Sequence, residues 1–295
     1  PVLTPAECPV GYRRRIRLRC VDGRVLFFNP NKEVGCSVLT PSLSAYVQHL
    51  FDLSTRHPSL FMGLTHLEVR DADLDGMFGM SRFGPAPCPT DVFESICDRC
   101  LVVSEHESTG PFQRLRLTDK LDHFVPLRSF IQINEAVNRQ IQRHLKDVCV
   151  DASLNSFWDM YCGVGNLSLM LGAAGMCGGG VELNVESVRA AQLSVSRWSE
   201  DVTYRVADAR LPISLPSFTP DVVIANPPRA GLKKGIEQIV ELGSEYVFLM
   251  SCSLESLRRD LPGLIEAGYV INDIRGYDMF PFTDHLETTV FARRA

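Results

Sequence analysis

The sequence predicts an α/β fold, a doubly wound and mostly parallel sheet, with a second, smaller α+β domain on its N-terminal side. Two observations predict it. From about residue 119 short apolar runs alternate with amphipathic segments, and each run ends in a turn or a helix start. Before that point one helical segment sits among strands without such alternation, and Pro85, Pro87 and Pro89 interrupt the chain. A length of 295 residues suits two domains, placed at 1–118 and 119–295.

The first forty residues are strand-rich. In Tyr12–Val21, YRRRIRLRCV, one face carries Arg13, Arg15, Arg17 and Arg19, and the other carries Arg14, Ile16, Leu18 and Cys20. Four guanidinium groups along one strand face suit successive phosphates of a nucleic acid. The plain alternative is a solvated strand face. Four like charges repel, and the chain as a whole has a net charge of −5, so the stripe is read as a phosphate contact. A helix follows over Leu43–Ser54, then strands near 64–70, 76–80 and 112–117, with a loop over 82–90. Phe93, Ile96, Cys97, Cys100 and Leu101 follow helical spacing, which puts the late cysteines on a buried face.

The second part reads as alternating elements. Asn134–Lys146 is an amphipathic helix, Phe157–Tyr161 a strand, and 166–174 a helix after a glycine-bearing loop. Strands are expected at Gly180–Leu183, Val202–Val206, Val222–Ala225 and Tyr246–Met250, with a helix over Glu186–Trp198. Tyr269–Tyr277 and Leu286–Ala292 fit an antiparallel closing pair. Ligands of such sheets sit at the carboxyl ends of the strands. That directs attention to 162–166, 182, 208, 226–229 and 252.

Composition excludes several classes. Hydrophobic content of 45% and charged content of 22% are those of a globular protein, and no apolar run approaches the ~20 residues of a membrane helix. Ten cysteines are scattered without a disulfide framework and are read as reduced thiols of a cytoplasmic protein. Cys88, Cys97 and Cys100 supply only part of a ligand set, so no metal is expected.

The strand ends carry the chemistry. In "WDMYCGVGNLSL", Gly163 and Gly165 let the backbone approach a ligand, and the helix start offers free N–H groups. Position 168 is Ser, which disfavours a dinucleotide enzyme. Glu182 is placed to accept from ribose hydroxyls, and Asp208 from an adenine amino group. In "DVVIANPPRAGL", two prolines fix the turn and leave carbonyls and the Asn226 amide to a ligand. Arg229 stands where an amino-group methyltransferase would carry an aromatic residue. Cys252 lies between a strand end and a helix capped by Ser253, with Leu254 and Leu257 on one face.

The ordered set "RSFIQIN", "DMYCGVGNLSL", "NPPRAGL", "MSCSLESLRRDL" and "MFPFTDHLET" resembles the RNA 5-methyluridine methyltransferases, which act on tRNA or ribosomal RNA. The Asn-Pro-Pro-Arg form and the first forty residues are most similar to members acting on large-subunit ribosomal RNA. The likeness covers roughly 125–295 and implies a Rossmann-like methyltransferase sheet using S-adenosyl-L-methionine (SAM). It implies that Gln132, Gly163, Gly165, Glu182, Asp208 and Asn226 hold the cofactor. It implies Cys252 as nucleophile and Glu287 as general base, with His285 and Asp284 as rivals for the base. RNA is then the partner, and no obligate protein partner is implied. Two departures stand out. Ser-Cys-Ser-Leu replaces the usual Ser-Cys-Asn-Pro, and of the N-terminal iron–sulfur cysteines only Cys36 falls near a ligand position.

This chemistry asks for a thiol. Carbon 5 of uracil is a poor nucleophile until a thiolate adds to carbon 6. A helix N-terminus would lower the thiol pKa. The rival readings are a non-catalytic RNA-binding protein that keeps the fold, and a nicotinamide-dependent oxidoreductase.

Overall fold

The computed structural model describes residues 2–28, 37–71, 73–85, 100–104, 110–118, 121–212 and 215–295. The chain forms two compact units: Pro1–Glu7 with Leu117–His123 and Ala136–Ala295, and Cys8–Arg116 with Phe124–Glu135. The division therefore differs from a single cut at 118. The first seven residues belong with the larger unit, because β1 (Val2–Thr4) pairs in parallel with a strand near the other end of the chain.

The smaller unit holds a five-stranded sheet in the order β3-β2-β4-β5-β6. Its strands are β2 (Arg15–Val21), β3 (Arg24–Phe27), β4 (His66–Arg70), β5 (Phe78–Phe83) and β6 (Cys100–Ser104). One face packs on helix α1 (Pro41–Arg56) through Leu18, Leu67, Val69 and Met80 against Leu43, Val47 and Leu50. Tyr46 stacks on Phe78 at 4.0 Å. Thr40 caps the helix by accepting from the Leu43 N–H, and Pro41 fills the first turn, where no donor is needed. Cys100 and Leu101 lie in a strand rather than the expected helix. The β-branched pair Val102 and Val103 and parallel pairing with β5 override the helical spacing. Cys36, Cys88 and Cys97 lie outside the described residues.

The other sheet face carries the arginine row, and much of that row is already engaged. Arg13 stands outside β2, and its Nε donates to the Arg15 carbonyl. Arg15 lies 3.5 Å from the Glu68 carboxylate and over the Phe130 ring. Arg17 is exposed and lies over the Phe83 ring. Arg19 is half-buried opposite His66. Arg70, cross-strand to Arg15, is 1% exposed and donates to the carbonyls of Pro126 and Ser129. The segment 126–130 thus covers part of the face that the sequence leaves open.

Strands β7 (Phe112–Arg116) and β8 (Asp122–Pro126) form a short two-stranded sheet. The larger unit then builds an eight-stranded sheet in the order β1-β14-β15-β13-β12-β9-β10-β11. Its strands are β9 (Ser156–Met160), β10 (Cys177–Glu182), β11 (Val202–Val206), β12 (Val222–Ala225), β13 (Tyr246–Ser251), β14 (Tyr269–Tyr277) and β15 (Glu287–Arg294). All neighbours are parallel except those of β15, which runs antiparallel between β13 and β14. The order reverses between β9 and β12, the switch point at which such sheets bind ligands.

Alternate side chains feed two cores. Val222, Ile224, Phe248 and Met250 face helix α2 (Glu135–Asp151) through Val137, Ile141 and Leu145. The same face receives α3 (Ser168–Ala173) and α4 (Val185–Val195). Val223, Ala225, Val247 and Leu249 face α5 (Gly235–Leu242) and α6 (Leu254–Glu266) through Ile239, Leu257 and Leu264. Burial on both faces explains why these strands read as unbroken apolar runs. Among the described residues, no helix is long and apolar enough to cross a membrane.

The glycine run of β10 allows close strand packing. A Cβ on Gly179 would sit 1.9 Å from the Thr203 carbonyl oxygen. Gly179→Ala is therefore expected to cost at least about 1–3 kcal/mol. The midpoint of urea unfolding should fall accordingly, and an unchanged midpoint would refute this packing.

Candidate active site

The carboxyl ends of β9, β10, β12 and β13 lie side by side, because Ala225 pairs with both Met160 and Leu249, and Val181 pairs with Met160. The residues just beyond them, 161–166, 182, 226–229 and 252, therefore share one end of the sheet.

The glycine turn is tightly built. Tyr161, Gly163 and Gly165 have φ of +63°, +56° and +81°. A side chain on Gly165 would meet Leu169 at 2.8 Å, whereas one on Gly163 would meet nothing within 4 Å. Gly163 thus lines open space, and Gly165 packs the turn onto its own helix. Helix α2 clamps the turn. Asn138 and Asn166 exchange side-chain hydrogen bonds, and Gln142 donates to the Asn166 carbonyl at 2.6 Å. His123 Nε2 meets the Val164 carbonyl at 2.8 Å, and burial lowers its pKa to about 4. A neutral ring with Nε2–H as donor follows. Asp159, at the end of β9, is buried and bonded to Ser168, whose hydroxyl also meets Tyr204. Burial raises the Asp159 pKa to about 7. His123, Asn138, Gln142 and Tyr161 escaped the sequence reading. Asp159 carried a signal there, as an acid inside an apolar strand.

Glu182 accepts from the backbone N–H of Gly163 at 3.3 Å and of Asn184 at 2.9 Å. Its carboxylate is thereby fixed beside the glycine turn. Asp208 forms a two-pronged pair with Arg210, with contacts of 2.8 and 2.5 Å, and those hydrogen bonds lower its pKa. Asn226 is half-buried. The Pro228 carbonyl does not face a ligand as the prolines suggest; it accepts from Gly231 N–H at 2.8 Å and closes a turn. Leu232 N–H donates to Asp260, and the Leu232 carbonyl accepts from Tyr161 OH, so this loop is tied to α6 and to the glycine turn.

Cys252 follows directly on Ser251, which pairs with Thr288, and Glu287 directly precedes Thr288. One further step along this antiparallel ladder sets Cys252 against Glu287. Ser253 caps α6 by accepting from Ser256 N–H, as its position predicts. Leu254 is 54% exposed, not buried with Leu257, since it opens the first turn at the sheet end. The thiol pKa also departs from expectation. Burial raises it, the Glu287 charge raises it further, and Arg229 only partly opposes both. The expected lowering by the helix start does not dominate. Glu287 is 4% exposed, its Oε2 has no hydrogen-bond partner among the described residues, and burial raises its pKa to about 7. Asp284 and His285 are exposed. Cys162 is buried with a pKa pushed well up, so it is the poorer nucleophile.

Gln132 belongs to the smaller unit, where its Oε1 is buried without a hydrogen-bond partner among the described residues. Arg13, Arg15, Arg17 and Arg19 belong to that unit as well.

The family model described as tRNA (Uracil-5-)-methyltransferase matches residues 112–295. The chain is 28% identical to the 23S rRNA (uracil(1939)-C(5))-methyltransferase RlmD of Marinomonas sp. (strain MWYL1) over 99% of its own length and 71% of that protein. It is 29% identical to the 23S rRNA (uracil(747)-C(5))-methyltransferase RlmC of Shewanella baltica (strain OS185), over 59% of its own length and 46% of that protein. The chain thus matches less than half of the length of that second relative. A crystal structure of Pyrococcus abyssi tRNA (uracil-54, C5)-methyltransferase in complex with S-adenosyl-L-homocysteine superposes with a TM-score of 0.78, covering 99% of this chain and 78% of that one at 22% identity. At that identity the likeness establishes the fold.

Glu287 has a pH signature. Its carboxyl is harder to ionise folded than unfolded, so it subtracts nothing below about pH 4.5 and destabilises progressively as pH rises to about 7. Relative to wild type, Glu287→Gln should gain about 3 kcal/mol between pH 4.5 and pH 8. Urea unfolding at the two pH values checks this, and a pH-independent difference would remove the buried acid from the account.

Proposed function

We propose, from membership of the tRNA (uracil-5-)-methyltransferase family, to which this chain belongs, that it methylates carbon 5 of a uridine in structured RNA, ribosomal or transfer. The observation that carries this is the ladder register that sets Cys252 against Glu287 at the ligand end of the sheet.

The cofactor fits the residues present. Gly163 lines open space, and Glu182 is fixed beside it. Gly163, Gly165, Glu182, Asp208 and Asn226 would hold SAM, which supplies an electrophilic methyl group when bound. Glu182→Ala should weaken SAM binding about tenfold by calorimetry. Unchanged binding would remove Glu182 from the cofactor site.

Cys252 then adds through sulfur to carbon 6 of the uracil, and the ring electrons pass to carbon 5 and oxygen 4. Carbon 5 takes the methyl group. Glu287 removes the proton remaining on carbon 5, the ring electrons expel the thiolate, and the carbon 6–sulfur bond breaks. A carboxyl with a pKa near 7 suits that step, since it is partly ionised at neutral pH and basic enough to accept a proton. Arg229 opposes the burial that keeps Cys252 protonated. A uridine within folded RNA must leave its stack to reach the thiol. Arg17 is the most open member of the arginine row and would contact phosphate, joined by Arg13, Arg15 and Arg19 once RNA displaces their intramolecular contacts.

The alternative, an RNA-binding protein that has lost catalysis, draws on Ser253 and Leu254, where relatives of the resembled family carry Asn-Pro. Trapping separates the two. With SAM and RNA containing 5-fluorouridine, the chain should form a denaturation-resistant adduct, absent in Cys252→Ala. On ordinary uridine RNA, Glu287→Gln should accumulate the adduct and turn over at least about 100-fold more slowly. SAM and RNA binding without any adduct would favour the non-catalytic reading.

A further inference from the structure

The loop 278–286 joins β14 to β15 and ends on Glu287. It is an ordered turn. Met279 is fully buried, Met279 N–H donates to the Tyr277 carbonyl, and both the N–H and the hydroxyl of Thr283 donate to the Phe280 carbonyl. His285 N–H in turn donates to the Thr283 hydroxyl at 3.2 Å. Upon this turn Phe282 stands out. It is 76% exposed, and none of the large apolar side chains among the described residues is more so. Its φ is +68°, a conformation that an aromatic residue rarely adopts. The backbone is thus strained to hold a phenyl ring in water, a combination found where a ligand is received.

The turn has a defined neighbourhood. The Phe280 ring lies edge-on to His285 at 6.0 Å, and His285 Nδ1 lies 3.5 Å from Arg229 Nη2. Arg229 acts electrostatically on the Cys252 thiol. The turn that presents Phe282 is therefore part of the rim of the Cys252 and Glu287 site. Exposed cations flank the same loops: Arg229, Lys233 and Lys234 after β12, and Arg258 and Arg259 in the second turn of α6. Arg259 and Asp260 tie α6 to that loop through the Ala230 carbonyl and Leu232 N–H. An exposed aromatic plane among cations is the combination by which proteins take unstacked nucleic acid, the cations meeting phosphate and the ring meeting a base.

We propose that Phe282 is a stacking platform for an RNA base flanking the target uridine. This rests on the reading above that the Cys252 end of the sheet receives RNA. The ring would compensate the flanking base for the stacking partner it loses when the uridine moves to the thiol. Any base offers a π-face, so the contact tolerates sequence and acts on binding and on the flipping step, not on methyl transfer itself.

The test uses the full chain and two probes, a uridine-rich stem–loop RNA and the same stem with abasic loop positions. In Phe282→Trp, the added indole should be quenched by the first RNA and not by the second, and Phe282→Tyr should bind like wild type. Phe282→Ala and Phe282→Leu should bind the base-bearing RNA about tenfold more weakly, while abasic RNA binds all variants alike. Equal binding by Phe282→Ala and no indole quenching would overturn the proposal. So would an equal loss on abasic RNA, which would mark a contact to sugar–phosphate or a misplaced turn. The 5-fluorouridine adduct of wild type is followed in parallel. Quenching without an adduct would keep the stacking platform and remove the methylation reading, whereas an adduct without quenching would do the reverse. Wild type that binds neither RNA at low salt would overturn both.

Discussion

The antiparallel insertion of β15 between β13 and β14 is the constraint on which the site depends. A parallel sheet delivers strand ends to one edge but brings only residues that end strands. Reversing one strand delivers a strand beginning to the same edge. That is how Glu287, first in β15, comes level with Cys252, which follows β13. The ladder fixes this meeting to within one residue, and a slip of one would turn Glu287 to the opposite face. The buried run Thr288–Ala292 makes such a slip costly, because Val290 and Ala292 are committed to one core and Phe291 to the other.

The same burial sets the electrostatics. Glu287 and Cys252 each resist ionisation, and the Glu287 charge raises the Cys252 pKa further. The thiol is therefore held mainly neutral near pH 7, and the carboxyl only partly ionised, until something cationic shares the space. Arg229 supplies part of that, at the end of a turn whose prolines, Pro228 carbonyl bond and contact with Tyr161 leave it little freedom. The tied loop backbone thus keeps the point from which that cation extends near the thiol. A charge that moved would stabilise the thiolate only part of the time.

Much of this was legible in the sequence. Val202–Val206, Val222–Ala225 and Tyr269–Tyr277 lie where apolar runs bounded by turn residues put them. That 162–166, 182, 226–229 and 252 share one end of the sheet was legible too, because strand prediction gives the residues that follow each strand. What was not legible depends on distant parts of the chain. Cys100 and Leu101 join a strand because β5 offers an edge. The arginine row is partly covered because Arg70 fixes the segment 126–129 over it. The thiol pKa follows from burial and from a carboxylate 35 positions away, as 287 − 252 counts it, and no local motif encodes either. His123 meets the Val164 carbonyl across 41 positions and carried no motif.

The pairing of β1 with β14 bears on how the chain is made. Val2 lies against Arg275, so β1 is synthesised well before the strand it pairs with. Until then it has no place in the sheet, while Cys8–Arg116 and Phe124–Glu135 already contain all that their own core needs. Vectorial synthesis therefore favours completion of the smaller unit first, and β1 can join the larger sheet only after β14 has been made. Strand β1 acts as a late clasp: its docking reports that β14, and with it the hairpin carrying Glu287, has reached its final register.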